Sequence, residues 1–427
     1  MTGPRVVVVG AGFAGYSAAR GLQRLAPDVE IVLINPTDYF LYLPLLPEVG
    51  AGVLEPRRIC VSLPARLPKV RLVLGAVERI DVTERRVGWV DPEGRHGELD
   101  FDRLVLAAGS VNKLLPIPGV AEYAHGFRGI SEALYLRDHV TRQLELAAAT
   151  DDRAEHDARC TFVVVGGGYT GTEVAAQGQL LTTRLRRQLP ALRDQRIRWL
   201  LVELAPRLLP ELNPQLSRTA ERVLRKRGVE VRTAQSIEHA RADCLHLTTG
   251  EDVATRSLIW CVGVRPDPLV AELSLPTERG RLQVAETLAV PEHPHVFACG
   301  DCAAVPDLTR PGSITGMTAQ HAHRQGKHAA HNVAASLAGN ELKPYRHHDL
   351  GFLVDLGGFQ AAADPLRVPL SGLAAKFVTR GYHLYSLPGN RTRTGADWAI
   401  NTVMPPRAVQ LGLVGAERVR LECTAEA

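Results

Sequence analysis

The chain has 427 residues, 45% of them hydrophobic, and its 50 Lys and Arg against 46 Asp and Glu leave a formal net charge of +4. So balanced a charge excludes the basic footprint of a nucleic-acid binder, and no run reaches the roughly 18 apolar residues of a membrane span. The length implies two or three domains.

The first strand begins within a few residues of Met1, so no secretory leader is expected. The seven cysteines (Cys60, Cys160, Cys244, Cys261, Cys299, Cys302 and Cys423) are odd in number and mostly far apart. That pattern reads as reduced thiols of a cytosolic protein, not a disulfide framework.

Arg5 to Gly15 opens with four valines, the mark of a strand covered on both faces. Gly10, Gly12 and Gly15 follow. This spacing suits a tight turn, a close approach of pyrophosphate to the backbone, and a helix packed hard on its strand. The start of that helix offers free N–H groups to phosphate. A helix over Tyr16–Leu25 leads to a strand over Val29–Ile34, which stops at Asn35-Pro36. An acid that bonds the ribose hydroxyls is usual at this place, and here it is Asn35. Asp38 to Val49 carries three aromatics beside the dinucleotide site. It either covers a flat ring system or is an ordinary packed loop.

Strands are expected at Val70–Leu74 and Val87–Val90, with a turn over Glu93–Gly97. Asp102 to Ser110 is a further buried strand that ends in glycine, and Pro116–Gly119 closes the module. Residues 120–158 read as a helical connector. The pattern then repeats. Thr161 opens a second strand, and Gly166, Gly168 and Gly171 follow with the spacing of the first copy. The strand Trp199–Glu203 ends in the acid the first copy lacks, and Ser257–Arg265 mirrors Leu104–Ser110. Gly10 and Gly166 are 156 positions apart and Gly109 and Gly263 are 154 apart, so both landmarks share nearly one period.

The expected fold class is therefore α/β, with two Rossmann-like dinucleotide-binding domains and a C-terminal region. Two such sites imply two dinucleotides, one held and one exchanging, and hydride transfer between nicotinamide and flavin. Glu203 would bond both ribose hydroxyls and repel a 2′-phosphate, which favours NADH over NADPH, although Arg207 stands close by in sequence.

Further on, His295–Asp301 is a short strand ending in Gly300-Asp301. Its carboxylate serves either a ribitol hydroxyl or a helix N-cap. Met317–Leu337 is an expected helix whose N-terminus would stabilise negative charge on a reduced flavin. Residues 345–427 read as a tail of short apolar runs broken by Gly and Pro.

In this order the motifs resemble the two-dinucleotide-domain flavoproteins, and most nearly the type II NADH dehydrogenases, which are single-chain NADH:quinone oxidoreductases. The likeness covers roughly residues 5–365 and rests on three stretches. Asp38-Tyr39 through Pro44-Leu45-Leu46 is similar to the family's Asn-Tyr…Gln-Pro-Leu-Leu. Gly166–Glu173 is similar to its Gly-Gly-Gly-Pro-Thr-Gly-Val-Glu. Ala319–Gly326 is similar to its Ala-Gln-x-Ala-x-Gln-Gln-Gly.

The resemblance implies FAD on Gly10, Gly12, Ala14, Gly15, Asn35, Pro44, Ala108, Gly109, Gly300, Asp301, Ala319 and Gln320. It implies NADH on Gly166, Gly168, Gly171, Glu203 and Gly263. Glu173 matches an acid near the nicotinamide, although on its residues alone it is equally a first-turn helix acid. Gln320 marks the quinone pocket. Arg324 stands where the family has a second glutamine, so a cation that either holds an anionic or ring-hydroxylated acceptor or shifts the flavin potential upward is expected there.

The resemblance divides the chain into 1–120 and 288–350 for FAD, 121–287 for NAD(P)H with its connector, and 351–427 for acceptor, membrane or dimer contacts. The pieces that match the family's membrane helix are Leu373–Leu387 and Ala408–Leu421. Both contain basic residues (Lys376, Arg380, Arg418, Arg420), so the expected location is the cytoplasm, with peripheral contact at the inner face of the plasma membrane left open. A homodimer also stays open.

The remaining clusters carry less. His321, His328 and His331 read as a solvated helix face, His347-His348-Asp349 as a turn, and no metal site is expected. Cys299 and Cys302 have C-x-x-C spacing, but a redox pair there would compete with Asp301 for the flavin. The reading is an FAD-dependent NADH dehydrogenase with a quinone-like acceptor. The alternatives are a soluble NAD(P)H-dependent flavin reductase of a small aromatic, or a nucleotide-sensing flavoprotein with little turnover.

Overall fold

A computed structural model describes residues 3–347, 350–404, 406 and 408–421. The valine run forms the strand Arg5–Val9, with Val6, Val7 and Val8 fully buried. It lies inside a six-stranded sheet whose order is Ala289–Val290, His293–Ala298, Arg103–Leu106, Arg5–Val9, Glu30–Asn35, Val70–Leu74. All neighbours are parallel except the first pair. The second copy builds a five-stranded parallel sheet, ordered Ala124–His125, Leu258–Trp260, Thr161–Val165, Arg198–Glu203, Val229–Thr233. In each sheet the glycine turn leaves a central strand, the place where open α/β sheets bind ligands.

The two sheets are tied where their closing strands end. Beyond Gly109 and Gly263, the segments Ser110–Asn112 and Val264–Pro266 pair antiparallel, with Val111 opposite Arg265. This short ribbon holds the two units at their ligand-facing edges.

Helix Phe13–Leu25 starts three residues earlier than the apolar spacing suggests, because Gly12 in extended backbone already serves as its N-cap. Its partner is helix Ala319–Leu337. Small residues let the two close up: a Cβ on Gly326 would lie 2.0 Å from the Ala14 carbonyl oxygen, and one on Gly21 would lie 2.6 Å from Ala330 Cβ. Gly300 lies against Ala14 and Ala322, so helix Phe13–Leu25, helix Ala319–Leu337 and the Gly300-Asp301 turn converge.

Two expectations change in the first half of the chain. Strand Arg86–Val90 belongs to a three-stranded antiparallel sheet with Ala76–Asp81 and His96–Asp100. The expected turn over Glu93–Gly97 is shifted toward the N-terminus. Asp91 Oδ1 accepts from the N–H groups of Glu93 and Arg95, and this closes the turn before His96.

The C-terminal region is folded as well. It holds a small sheet (Leu353–Asp355, Ala361–Ala363, Leu370–Ser371) and two helices, Gly372–Ser386 and Arg391–Val403. The second helix is gripped by segment 48–60. Arg58 and Asp397 form a two-bond ion pair, Trp398 Nε1 donates to Glu48, and Asn401 donates to the Val53 carbonyl.

Residues 408–421 form no amphipathic helix, only a 3₁₀ turn at Ala416–Val419. They lie along helix Ile130–Ala148, where Asp138 accepts from the N–H groups of Leu411 and Gly412. A buried carboxylate that satisfies two backbone donors fixes this segment in place of helical bonds. His348, Asp349 and Cys423 lie outside the described residues.

Candidate functional site: two copies of one nucleotide turn

The two glycine turns match atom for atom. Gly10 and Gly166 have φ of +88° and +105°, which L side chains rarely adopt. Their N–H groups donate to the carbonyls of Ile34 and Val202 at 2.9 and 2.8 Å. A Cβ on Gly15 would lie 1.8 Å from the Gly10 oxygen, and one on Gly171 would lie 1.8 Å from the Gly166 oxygen. These positions exist for packing.

Gly12 and Gly168 differ, since a Cβ there would meet nothing within 4 Å. Each is the N-cap of a helix that has no side-chain cap and no acid in its first turn. The first-turn N–H groups therefore remain available to an anion. A Cβ would project into the space a pyrophosphate must enter, so the residues present fit two dinucleotides. Gly109 and Gly263 are open in the same way, with positive φ, and Ala108 is half-buried beside the first of them.

The residues closing the second strand also correspond. Asn35 Oδ1 accepts from Ala11 N at 2.8 Å, and Glu203 Oε2 accepts from Gly167 N at 2.5 Å. Both amide hydrogens of Asn35 go to Thr37. For an incoming ribose hydroxyl, Asn35 thus offers only a second lone pair on Oδ1. Glu203 Oε1 also accepts from Ala205 N. Arg207 donates to the carbonyls of Leu209, Pro210 and Leu212. Its guanidinium is thus committed to the backbone.

On the first side, Asp301 Oδ2 accepts from Ser110 Oγ at 2.6 Å. The fully buried Gln325 accepts from Gly300 N through Oε1 and donates to Thr315 through Nε2. The segment after Asp38 proves to be largely core. Phe40 stacks on Tyr16 at 4.7 Å and meets Phe13 edge-on at 5.0 Å, and Tyr42 is buried against His383. Only Tyr39, Leu41, Leu43 and Pro44 keep partial exposure between Tyr39 and Leu46.

Cys299 and Cys302 are buried and unpaired. The Cys302 thiol donates to the carbonyls of Leu106 and Cys299, and burial pushes it up to about 11. They are structural thiols beneath the Gly300-Asp301 turn.

Helix Ala319–Leu337 is capped by Thr318, whose Oγ1 accepts from His321 N, and begins at Ala319. Gln320 Nε2 donates to the Gly351 carbonyl at 2.7 Å, while its buried Oε1 has no partner among the described residues. Arg324 meets His347 at 3.3 Å, and the His321 ring lies 3.8 Å from that of His347, with Tyr345 alongside. His321 is therefore enclosed, not solvated, and burial lowers it to about 4. His328 bonds the Lys343 carbonyl, and His331 is exposed. Among the described residues no three His, Cys, Asp or Glu side chains gather as metal ligands.

Glu173 is the fifth residue of helix Tyr169–Gln188, past the first turn, and its Oε1 accepts from Asp355 N at 2.7 Å. Asp355 is held in turn by Lys376, whose Nζ lies 2.5 and 2.7 Å from its two carboxylate oxygens and 3.9 Å from Glu48. Two carboxyl groups, Asp355 and Glu48, thus share one buried lysine, with Glu173 joined to them through the Asp355 backbone. Loss of solvation is the largest cause that pushes Glu173 well above the usual carboxylate range and Glu48 up to about 7, the latter helped by the Asp355 charge.

Sequence reasoning took Lys376 for one of the basic residues in a membrane piece and did not single out Glu48 or Asp355. The available signal was a lone lysine in the otherwise apolar run Gly372–Val378. Only the packing of Glu48, Glu173 and Asp355 around it shows that it is buried.

A family model for pyridine nucleotide-disulphide oxidoreductases matches residues 4–326. A type II NADH:quinone oxidoreductase of Mycobacterium tuberculosis is 31% identical, covering 99% of this chain and 93% of its own. The chain belongs to the type II NADH:quinone oxidoreductase family. The demethylphylloquinone reductase NdbB of Synechocystis is also 31% identical, over 92% of this chain and 95% of its own length. In backbone, NDH2 of Plasmodium falciparum, solved in complex with NADH, matches with a TM-score of 0.87 at 18% identity and covers 95% of this chain and 99% of that one.

The type II NADH:quinone oxidoreductases are flavoproteins that carry electrons from NADH through FAD to a quinone, without pumping protons. FAD and NADH are accordingly the two dinucleotides of this fold. Although the broader family is named for a disulphide, the six described cysteines of this member are all free.

Proposed function

We propose that FAD occupies the turn at Gly10–Gly15 and NADH the turn at Gly166–Gly171, and that a quinone is reduced where Gln320 meets the segment Gly351–Asp355. The observation that carries this is the paired set of uncapped helix starts at Gly12 and Gly168, each with open space where a side chain would stand. Bound FAD supplies a two-electron carrier that takes hydride from NADH and passes the electrons on.

The chain's own residues bind and orient. Helix N-termini hold the pyrophosphates, Glu203 accepts from the adenine-side ribose of NADH, and Asp301 accepts from the flavin's sugar chain. Burial pushes the Glu173 carboxyl well above the usual carboxylate range; Oε1 accepts from Asp355 N, so Oε2 is the atom left to carry a proton. The unpartnered Gln320 Oε1 accepts from the hydroxyl that forms on the reduced acceptor.

We also propose that the outer face of the two C-terminal helices touches lipid. Leu373, Phe377, Tyr385, Ile400, Val403 and Met404 are exposed there, and Arg391 and Arg393 lie on the second helix. No helix among the described residues is long and apolar enough to cross a membrane, so the contact would be interfacial. Co-sedimentation with anionic vesicles tests this: Phe377→Glu with Val403→Glu should abolish it. A change of oligomeric state instead would assign the face to a second copy of the chain. Steady-state NADH oxidation with menaquinone, ubiquinone and a soluble dye tests the acceptor, and turnover with the dye alone would overturn the quinone assignment.

A further inference from the structure

Among the described residues Asp301 is anchored on one of its oxygens. Oδ2 takes the hydrogen of Ser110 Oγ at 2.6 Å, and Ser110 is 4% exposed. The same Ser110 oxygen receives Nη1 of Arg128 at 3.3 Å. A guanidinium has no acceptor and an ionised carboxylate has no donor, so the hydroxyl between them has one direction open to it: it accepts from Arg128 and donates to Asp301.

Arg128 is itself fixed from behind. Glu132 accepts from the backbone N–H groups of Arg128 and Gly129 and from Asn112 Nδ2, which joins the start of helix Ile130–Ala148 to the inter-domain ribbon. The carboxylates of Asp301, Glu132 and Asp267 act on its charge. Asp267 follows the second strand of that ribbon, and its N–H donates to the Gly109 carbonyl.

We propose that Arg128 and Ser110 are positioning residues for the flavin, a relay that locks the Asp301 carboxylate with Oδ2 occupied and Oδ1 presented to a hydroxyl of the flavin's sugar chain. The relay rests on the reading of Asp301 as a flavin contact. Arg128 makes no direct hydrogen bond to Asp301 among the described residues and is joined to it through the Ser110 hydroxyl. Because Arg128 sits where the chain crosses between the two dinucleotide units, the grip on FAD is set partly by the ribbon that joins them.

The test is FAD release from diluted holoenzyme, read as free-flavin fluorescence, with thermal unfolding as a control. A hydrogen bond to a charged group at this strength corresponds to about a tenfold change. Ser110→Ala should release FAD about tenfold faster. Arg128→Gln should release it a few-fold faster, Arg128→Lys should return to within about twofold of the parent, and the double variant should match Ser110→Ala, because one path is cut only once. Ser110→Thr keeps the hydroxyl and should hold FAD like the parent, a comparison that stands even if Arg128→Gln fails to fold.

Multiplicative effects in the double variant would overturn the relay. So would parent-like release from Ser110→Ala while Asp301→Ala releases rapidly. Parent-like release from Asp301→Ala would remove the flavin reading of Asp301, and the relay with it.

Discussion

Asn35 and Glu203 do the same structural work in two copies of one turn: each ends its strand by accepting the N–H of the residue between the first two glycines, from Ala11 and Gly167 respectively. They differ in charge. On the proposed assignment, the neutral residue stands in the FAD-side copy and the anion in the copy that exchanges NADH. A resident cofactor can be held by many other contacts, whereas a visiting one must be told from its 2′-phosphorylated relative at each encounter.

Glu203→Gln keeps the acceptor for Gly167 N and removes the charge. The kcat/KM ratio of NADPH to NADH should rise on the order of tenfold, mainly through KM. Arg207 will not add to this while its guanidinium is bound to the Leu209, Pro210 and Leu212 carbonyls. An unchanged ratio would show that Glu203 does not read the ribose.

Gly12→Ala and Gly15→Ala should fail differently. The first meets no atom within 4 Å and should fold with near-parent stability but lose FAD. The second places a Cβ 1.8 Å from the Gly10 oxygen and should not accumulate as folded protein. Unfolding curves and flavin content after purification separate the two. A yellow, stable Gly12→Ala protein would contradict the pyrophosphate assignment.

Lys376→Met leaves Asp355 and Glu48 buried without their cation and should cost roughly 3–5 kcal/mol. Adding Asp355→Asn should recover part of that loss, since one of the orphaned charges is then gone. Denaturant unfolding of the single and double variants measures the difference. Full additivity would mean that the ion pair does not act as a unit.

Burial holds Glu48 at about 7 in the folded chain, above its ordinary value near 4.3. The folded state therefore binds a proton that the unfolded state has released across that window, and stability falls as pH rises from about 4.5 to 7. The loss is on the order of 2 kcal/mol. Glu48→Gln keeps an acceptor for Trp398 Nε1 and should flatten this slope, so that the variant gains on the parent at pH 8 and not at pH 4.5. Thermal unfolding across that range checks the sign.

The duplicated architecture was legible because its causes are local. Strand patterns of the Val6–Val9 kind and glycines at fixed offsets are needed wherever a strand turns into a phosphate-binding helix, and each copy states them within 11 residues. The buried charge cluster was not legible. Glu48, Glu173, Asp355 and Lys376 come from four separate segments, and nothing within any one of them shows that the others exist. The same holds for Ser110, Arg128 and Asp301. Phe40 and Tyr42 show a third limit, for aromatics beside a cofactor motif carry the same sequence pattern whether they face a flavin or, as here, core rings such as Phe13, Tyr16 and His383.

The most direct measurement is an anaerobic mixing experiment on purified holoenzyme. Adding NADH should bleach the flavin absorbance, NADPH should do so far more slowly, and a following addition of menaquinone or ubiquinone should restore the colour. A flavin that stays oxidised with NADH, or purified protein that is colourless and cannot be reconstituted with FAD, would contradict the assignment of two facing dinucleotides in electron exchange.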